Sequence, residues 1–147
     1  MNDDLLFVYG TLRRDMRSEM SQLLERHAGF VAEGRYQGRL YRIDYYPGVV
    51  PSDNPTETVK GEVYSLRDSQ VVLQELDRYE ECGPGFAEPT EYVRRFETVT
   101  LLDGAVCRAW IYIYNHPIDR YTPIPSGDFV ASEADQNKSK VYDKPNR

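Results

Sequence analysis

Histidine and cysteine are scarce in this chain, two of each in 147 residues. His27 and His116 stand far apart, and no Cys-x-x-Cys or His-x-x-x-His spacing occurs. The usual zinc sites need four such donors in close sequence pairs, so no metal or other cofactor is expected. Cys82 and Cys107 read as two free thiols of a reducing compartment. Positive charge is in deficit, with 18 Lys and Arg against 24 Asp and Glu, a net charge of −6. That balance argues against nucleic acid or an anionic membrane as a partner. No apolar run approaches the ~20 residues of a spanning helix, and nothing reads as a signal peptide, so the expected location is the cytoplasm.

What is abundant is tyrosine, 12 residues in all. Tyrosine supplies rigid, half-buried walls with polar tips. The length suits one domain, expected over residues 1–130, with a polar, lysine-rich C-terminal tail over 131–147. Leu5 to Tyr9 is a short apolar strand stopped by Gly10. Asp15 or Ser18 caps a helix that runs to about His27, with Met16, Met20, Leu23 and Leu24 as its apolar stripe. Ala28 to Val50 reads as one or two short strands bending at glycines, and Thr58 to Leu66 alternates as a strand. Asp68 or Ser69 caps a second helix with Val72, Leu73 and Leu76 turned inward, ending near Tyr79 before a Gly/Pro loop. Tyr92 to Leu102 and Val106 to Tyr114 form a hairpin about Asp103-Gly104. Several strands, one hairpin and two separated helices predict an α+β fold, a small mixed, largely antiparallel β-barrel flanked by helices.

Two segments carry possible chemistry. At Tyr9-Gly10-Thr11-Leu12, a glycine after a buried strand lets successive N–H groups converge on an anion, with Tyr9 as a wall and Thr11 offering a hydroxyl. So short a motif is, by itself, more often a plain turn. In Leu76-Asp77-Arg78-Tyr79-Glu80, Glu80 falls where the helix ends. A carboxylate turned inward there suits a general base, although most carboxylates are solvated. Glu75, Asp77 and Glu81 read as the solvated face, with Asp77 able instead to hold the loop through backbone N–H groups. Cys82 is a rival nucleophile, but neither histidine sits in a supporting motif. His116 reads as a turn residue and Ser126 to Phe129 as a tight turn with a structural role. On the last strand, Cys107, Ala109, Ile111 and Ile113 face a core, and Trp110, Tyr112 and Tyr114 face the other way. Tyr114, near the strand end, could reach a ligand with its hydroxyl.

The order Tyr9-Gly10-Thr11-Leu12, then Leu76-Asp77-Arg78-Tyr79-Glu80, then Tyr92-Val93-Arg94, then Ser126-Gly127-Asp128-Phe129 resembles the gamma-glutamylcyclotransferase-like family over roughly residues 5 to 129. The resemblance implies a small barrel flanked by helices, a substrate held at Tyr9 to Leu12, and Glu80 as the proton acceptor. Many members carry glycine directly after that glutamate, where this chain has Glu81, and the loop that follows is somewhat long.

The implied partner is a small gamma-glutamyl compound. Its own α-amine attacks the γ-carbonyl and closes a five-membered ring, giving 5-oxoproline and a free amine. No metal or enzyme nucleophile is needed, only folding of the substrate, a base and oxyanion donors. Two alternatives stay open: a non-catalytic module binding a small ligand on the same barrel, and a hydrolase or acyltransferase in which Glu80 activates water.

Overall fold

The computed structural model describes residues 4–10, 19–44 and 46–136. Along the chain run β1 (Leu5–Val8), α1 (Glu19–His27), β2 (Ala28–Arg42), β3 (Pro47–Pro51) and β4 (Thr58–Leu66). They are followed by α2 (Ser69–Tyr79), β5 (Tyr92–Leu101), β6 (Val106–Tyr114), β7 (Thr122–Pro123) and α3 (Phe129–Gln136). Strands β2, β4, β1, β6 and β5 lie side by side in that order. Gly34 and Arg35 of β2 then pair with Leu101 and Thr100 of β5, which closes the five strands into a barrel. All these pairings are antiparallel except β1 with β6. The far half of β2 leaves the barrel and carries β3 and β7. Closure leaves the barrel strands no open edge.

The alternation of β6 sorts the core into two layers, as its sequence predicts. Ala109, Ile111 and Ile113 join Phe7, Val59, Val63 and Val99 in one cluster inside the barrel, with Cys107 packed against it. Tyr112 and Tyr114 join Leu6, Val8, Leu24, Val72, Leu73 and Leu76 in a second cluster, between the barrel wall and the helices. The inward face of α2 is the predicted one.

Four details differ from the sequence reading. The segment after α1, read as one or two short strands, holds β2 and β3, of which β2 is not short but runs 15 residues. Its irregularity between Phe30 and Ala32 bends it without ending it, and Gly34 sits at the barrel closure. Asp68 stands at the N-cap of α2 but makes no side-chain capping bond, its backbone being left-handed at φ 49°. The predicted polar tail begins as helix, since α3 continues to Gln136. Asp128 caps that helix, accepting the Ala131 N–H at 3.2 Å, while Phe129 is fully buried in the barrel cluster. Gly127 is required just before it: φ is +69°, and a Cβ would stand 2.0 Å from the Thr58 carbonyl oxygen. Finally, Asp77 is held by side chains and not by backbone N–H groups, as described next. The predicted caps Asp15 and Ser18 lie outside the described residues.

Candidate functional site

Helix α2 ends in a Schellman motif. The Cys82 N–H donates to the Asp77 carbonyl at 2.9 Å and the Glu81 N–H to that of Arg78 at 3.1 Å. The reversal puts Glu81 at φ +55°, a region that penalises a side chain. Glu80, the C-cap, keeps its helical bond to the Leu76 carbonyl at 2.8 Å. Its side chain is 0% exposed, which decides between the two readings of this carboxylate: it is turned inward. It lies close enough to the Tyr112 hydroxyl and the Cys82 thiol for its charge to act on both.

One turn earlier, Asp77 gathers three neighbours. Arg94 grips its carboxylate with both Nε (2.8 Å) and Nη2 (3.0 Å). The Tyr112 hydroxyl donates at 2.7 Å and the Cys82 Sγ at 3.6 Å. Arg94 also lies over the Trp110 ring, 4.4 Å from its centroid. Burial works against the Arg94 charge, and the hydrogen bond and charge of Asp77 outweigh it, so the guanidinium is held above its ordinary value. Burial first, then Asp77, raise the Tyr112 phenol well above its usual range.

The N-terminal segment approaches the same strand. Leu6 pairs with Trp110 across the parallel ladder, so the chain leaving β1 runs toward the level of Tyr112 and Tyr114. Tyr9 is buried, and its hydroxyl donates to the Tyr112 carbonyl at 2.6 Å. It contributes to the bend through packing and this bond. Gly10 follows and is buried, while Thr11 and Leu12 lie outside the described residues. Tyr112 thus touches both segments singled out in the sequence, Tyr9 through its carbonyl and the end of α2 through its hydroxyl.

A cleft of about 460 Å³ opens beside this junction, lined among others by Tyr46, Glu81, Glu91, Tyr114, His116 and Tyr121. Glu80 is not among its lining residues, although its neighbour Glu81 is. Tyr114 does reach the cleft, its hydroxyl 3.2 Å from that of Tyr121. His116 Nε2 donates to the Pro89 carbonyl at 2.9 Å, and its ring meets Tyr114 edge-on, in keeping with a turn residue. The sequence reading named Arg94 only within the Tyr92-Val93-Arg94 motif and gave it no role, and it missed Tyr46 and Tyr121. The β5–β6 register sets Arg94 opposite Tyr112.

Both cysteines are free thiols. Burial, then the Asp77 charge, push the Cys82 thiol up to about 12 from an ordinary 9.0, which leaves it neutral and a poor nucleophile. Among the described residues no group of three or more His, Cys, Asp or Glu is arranged to hold a metal ion. No described helix is long and apolar enough to cross a membrane.

A family profile described as gamma-glutamyl cyclotransferase, AIG2-like, matches residues 6–131. The chain belongs to this family. It is 34% identical over 125 residues to the gamma-glutamylcyclotransferase family protein YtfP of Escherichia coli K12, across 85% of this chain and 95% of that one. The crystal structure of YkqA from Bacillus subtilis matches with a TM-score of 0.69 at 30% identity, over 95% of this chain but only 44% of YkqA. An AIG2-like protein from Mus musculus shares the fold over 100% of both chains, with a TM-score of 0.71 at 20% identity. Glycine is the residue best suited to the left-handed backbone at Glu81.

Two outcomes are expected. Glu81→Gly should stabilise the fold by about 0.5–1 kcal/mol in urea unfolding, the left-handed penalty less the entropy of glycine; a loss of stability would contradict the backbone account. For Cys82 the folded value lies above the unfolded one, so its contribution is complete below pH 9 and declines as pH rises toward 12. Stability should therefore fall less steeply over that window in Cys82→Ala than in the parent protein, read from urea midpoints at stepped pH. Parallel slopes would contradict the assignment.

Proposed function

We propose that the protein is a cyclotransferase that converts a gamma-glutamyl amine or peptide into 5-oxoproline and the free amine. The observation that carries this reading is the burial of Glu80, a carboxylate 0% exposed at the end of α2, the helix whose Asp77 is bonded to Tyr112, which in turn accepts the Tyr9 hydroxyl. A carboxylate withdrawn from water, with a substrate ammonium as partner, is placed to move protons.

In this mechanism the γ-glutamyl chain is folded so that its α-nitrogen faces its own γ-carbonyl carbon. Holding that shape replaces an encounter with a positioned, unimolecular attack. The α-nitrogen arrives as an ammonium with no lone pair. Glu80 takes one proton, and the freed amine forms the new C–N bond as the carbonyl oxygen becomes an oxyanion. The N–H groups of Gly10 to Leu12 hold this oxyanion or the substrate carboxylate. As the tetrahedral centre collapses, the bond to the leaving nitrogen breaks. Two protons leave the α-nitrogen in all, and Glu80 relays both to the departing amine, which exits as an ammonium. Tyr114 borders the cleft that takes the rest of the substrate. Neither water nor an enzyme nucleophile enters, which agrees with the neutral Cys82 thiol.

Incubation with gamma-glutamyl amines, gamma-glutamyl peptides and glutathione should release 5-oxoproline, detected by mass spectrometry. Glu80→Gln should lower the rate by about 10²–10⁴-fold, the usual worth of a general acid–base, with an unchanged circular dichroism spectrum. Full activity in that variant would remove Glu80 from its role, and free glutamate as the product would indicate hydrolysis instead.

A further inference from the structure

Glu80 closes the helix that carries it. It sits at the C-cap of α2, and terminal turns fray unless something docks them. Its position is therefore set by whatever holds the last turn against the barrel. Asp77 lies three residues earlier, on the same face of the helix. The charges of both carboxylates act on the same two groups, the Tyr112 hydroxyl and the Cys82 thiol.

The bonds on Asp77 come from three separate elements. Arg94 belongs to β5, Tyr112 to β6, and Cys82 to the loop that leaves the helix. The Arg94 grip is bidentate, which fixes orientation as well as distance. Its guanidinium is in turn braced over Trp110 on β6. The Asp77 main chain adds to this, since its carbonyl accepts the Cys82 N–H that closes the Schellman turn around Glu80 and Glu81. Tyr112 supplies the other end of the link, its carbonyl taking the Tyr9 hydroxyl.

We infer that Asp77 is a positioning residue for Glu80: clasped by Arg94 and Tyr112, it docks the last turn of α2 so that the Glu80 carboxyl is held toward the chain leaving β1. The inference rests on Glu80 being the acid–base proposed above. It assigns to Asp77, Arg94 and Tyr112 a role in rate that none of them takes in the chemistry itself.

The test uses Asp77→Asn, Arg94→Lys and Tyr112→Phe in the full chain. Tyr112→Phe keeps the ring and its packing and removes only the hydroxyl, so it remains informative should Asp77→Asn fold poorly. With the best substrate of the panel, kcat should fall about 10- to 100-fold in Asp77→Asn, as a misplacement near 1 Å would cause, with KM within about twofold. Tyr112→Phe should lose less, and adding it to Asp77→Asn should cost nothing further, because both break one network. The second readout is independent of turnover. The protein is labelled with carboxyl-¹³C glutamate, and the Glu80 resonance is identified by its absence in Glu80→Gln. It should stand apart from the exposed glutamates in the parent protein and move toward them in Asp77→Asn and, to a smaller extent, in Tyr112→Phe. An unchanged Glu80 resonance in both variants overturns the inference whether or not turnover is seen. So does a rate loss that follows thermal stability and is recovered on cooling. Absence of 5-oxoproline from the parent protein overturns the proposed reaction, while the resonance still reports on Asp77.

Discussion

The two-pronged grip of Arg94 on Asp77 is the interaction on which the rest of the site depends. Helix α2 packs on the barrel through three apolar side chains, Val72, Leu73 and Leu76. Apolar contact is non-directional, and leaves a helix free to slide or roll by small amounts. The ion pair removes that freedom at the end where Glu80 sits. Its side chains are about a quarter exposed, 22% for Arg94 and 26% for Asp77, so it is neither a screened surface pair nor a dry one. The bidentate geometry and the added Tyr112 bond make it more than the usual surface pair, which contributes roughly 0–1 kcal/mol.

The tyrosines explain how so small a barrel carries polar groups at its wall. Four of them span from an apolar layer to a polar acceptor. Tyr9 reaches the Tyr112 carbonyl, Tyr92 the Pro47 carbonyl, Tyr112 the Asp77 carboxylate, and Tyr64 the Glu62 carboxylate. Three of these bonds join segments distant in sequence: Tyr9 to Tyr112 crosses 103 residues, Tyr92 to Pro47 crosses 45 and Tyr112 to Asp77 crosses 35. A leucine in any of these places would fill the space and leave the acceptor without its partner, which is costly in a buried setting. The abundance of tyrosine is thus a property of the architecture, and its effect on the site is to fix β6 as the common support.

Much of this was legible in the chain. Period-two alternation in β6 and the 3.6-residue stripe of α2 report burial directly, because one face must leave water. The Asp103-Gly104 signal located the β5–β6 hairpin, while the loop, one residue longer than that dipeptide, sets the register in which Arg94 faces Tyr112. Apart from the role the resemblance implied, Glu80 could be flagged only as the residue at a helix end, since whether it points inward depends on docking contacts from β5 and β6. The same limit hid the partners of Asp77. The long β2 was obscured by its glycines, which read as strand ends and in fact mark the barrel closure and the handover to β3. The start of α3 was obscured by polar composition; among its described residues, the buried Phe129 and the Ser132 hydroxyl, bonded by Arg42, hold it to the barrel.

In the reading proposed above, the acid buried at the end of α2 is the only titrating group that the reaction needs. The decisive measurement is a crystal structure of Glu80→Gln with an uncleaved gamma-glutamyl compound bound. The expected result is the glutamyl moiety lying between the residue-80 amide and the main-chain N–H groups that begin at Gly10, its α-nitrogen on the side of residue 80. A glutamyl group bound elsewhere, with neither segment in contact, would contradict the account.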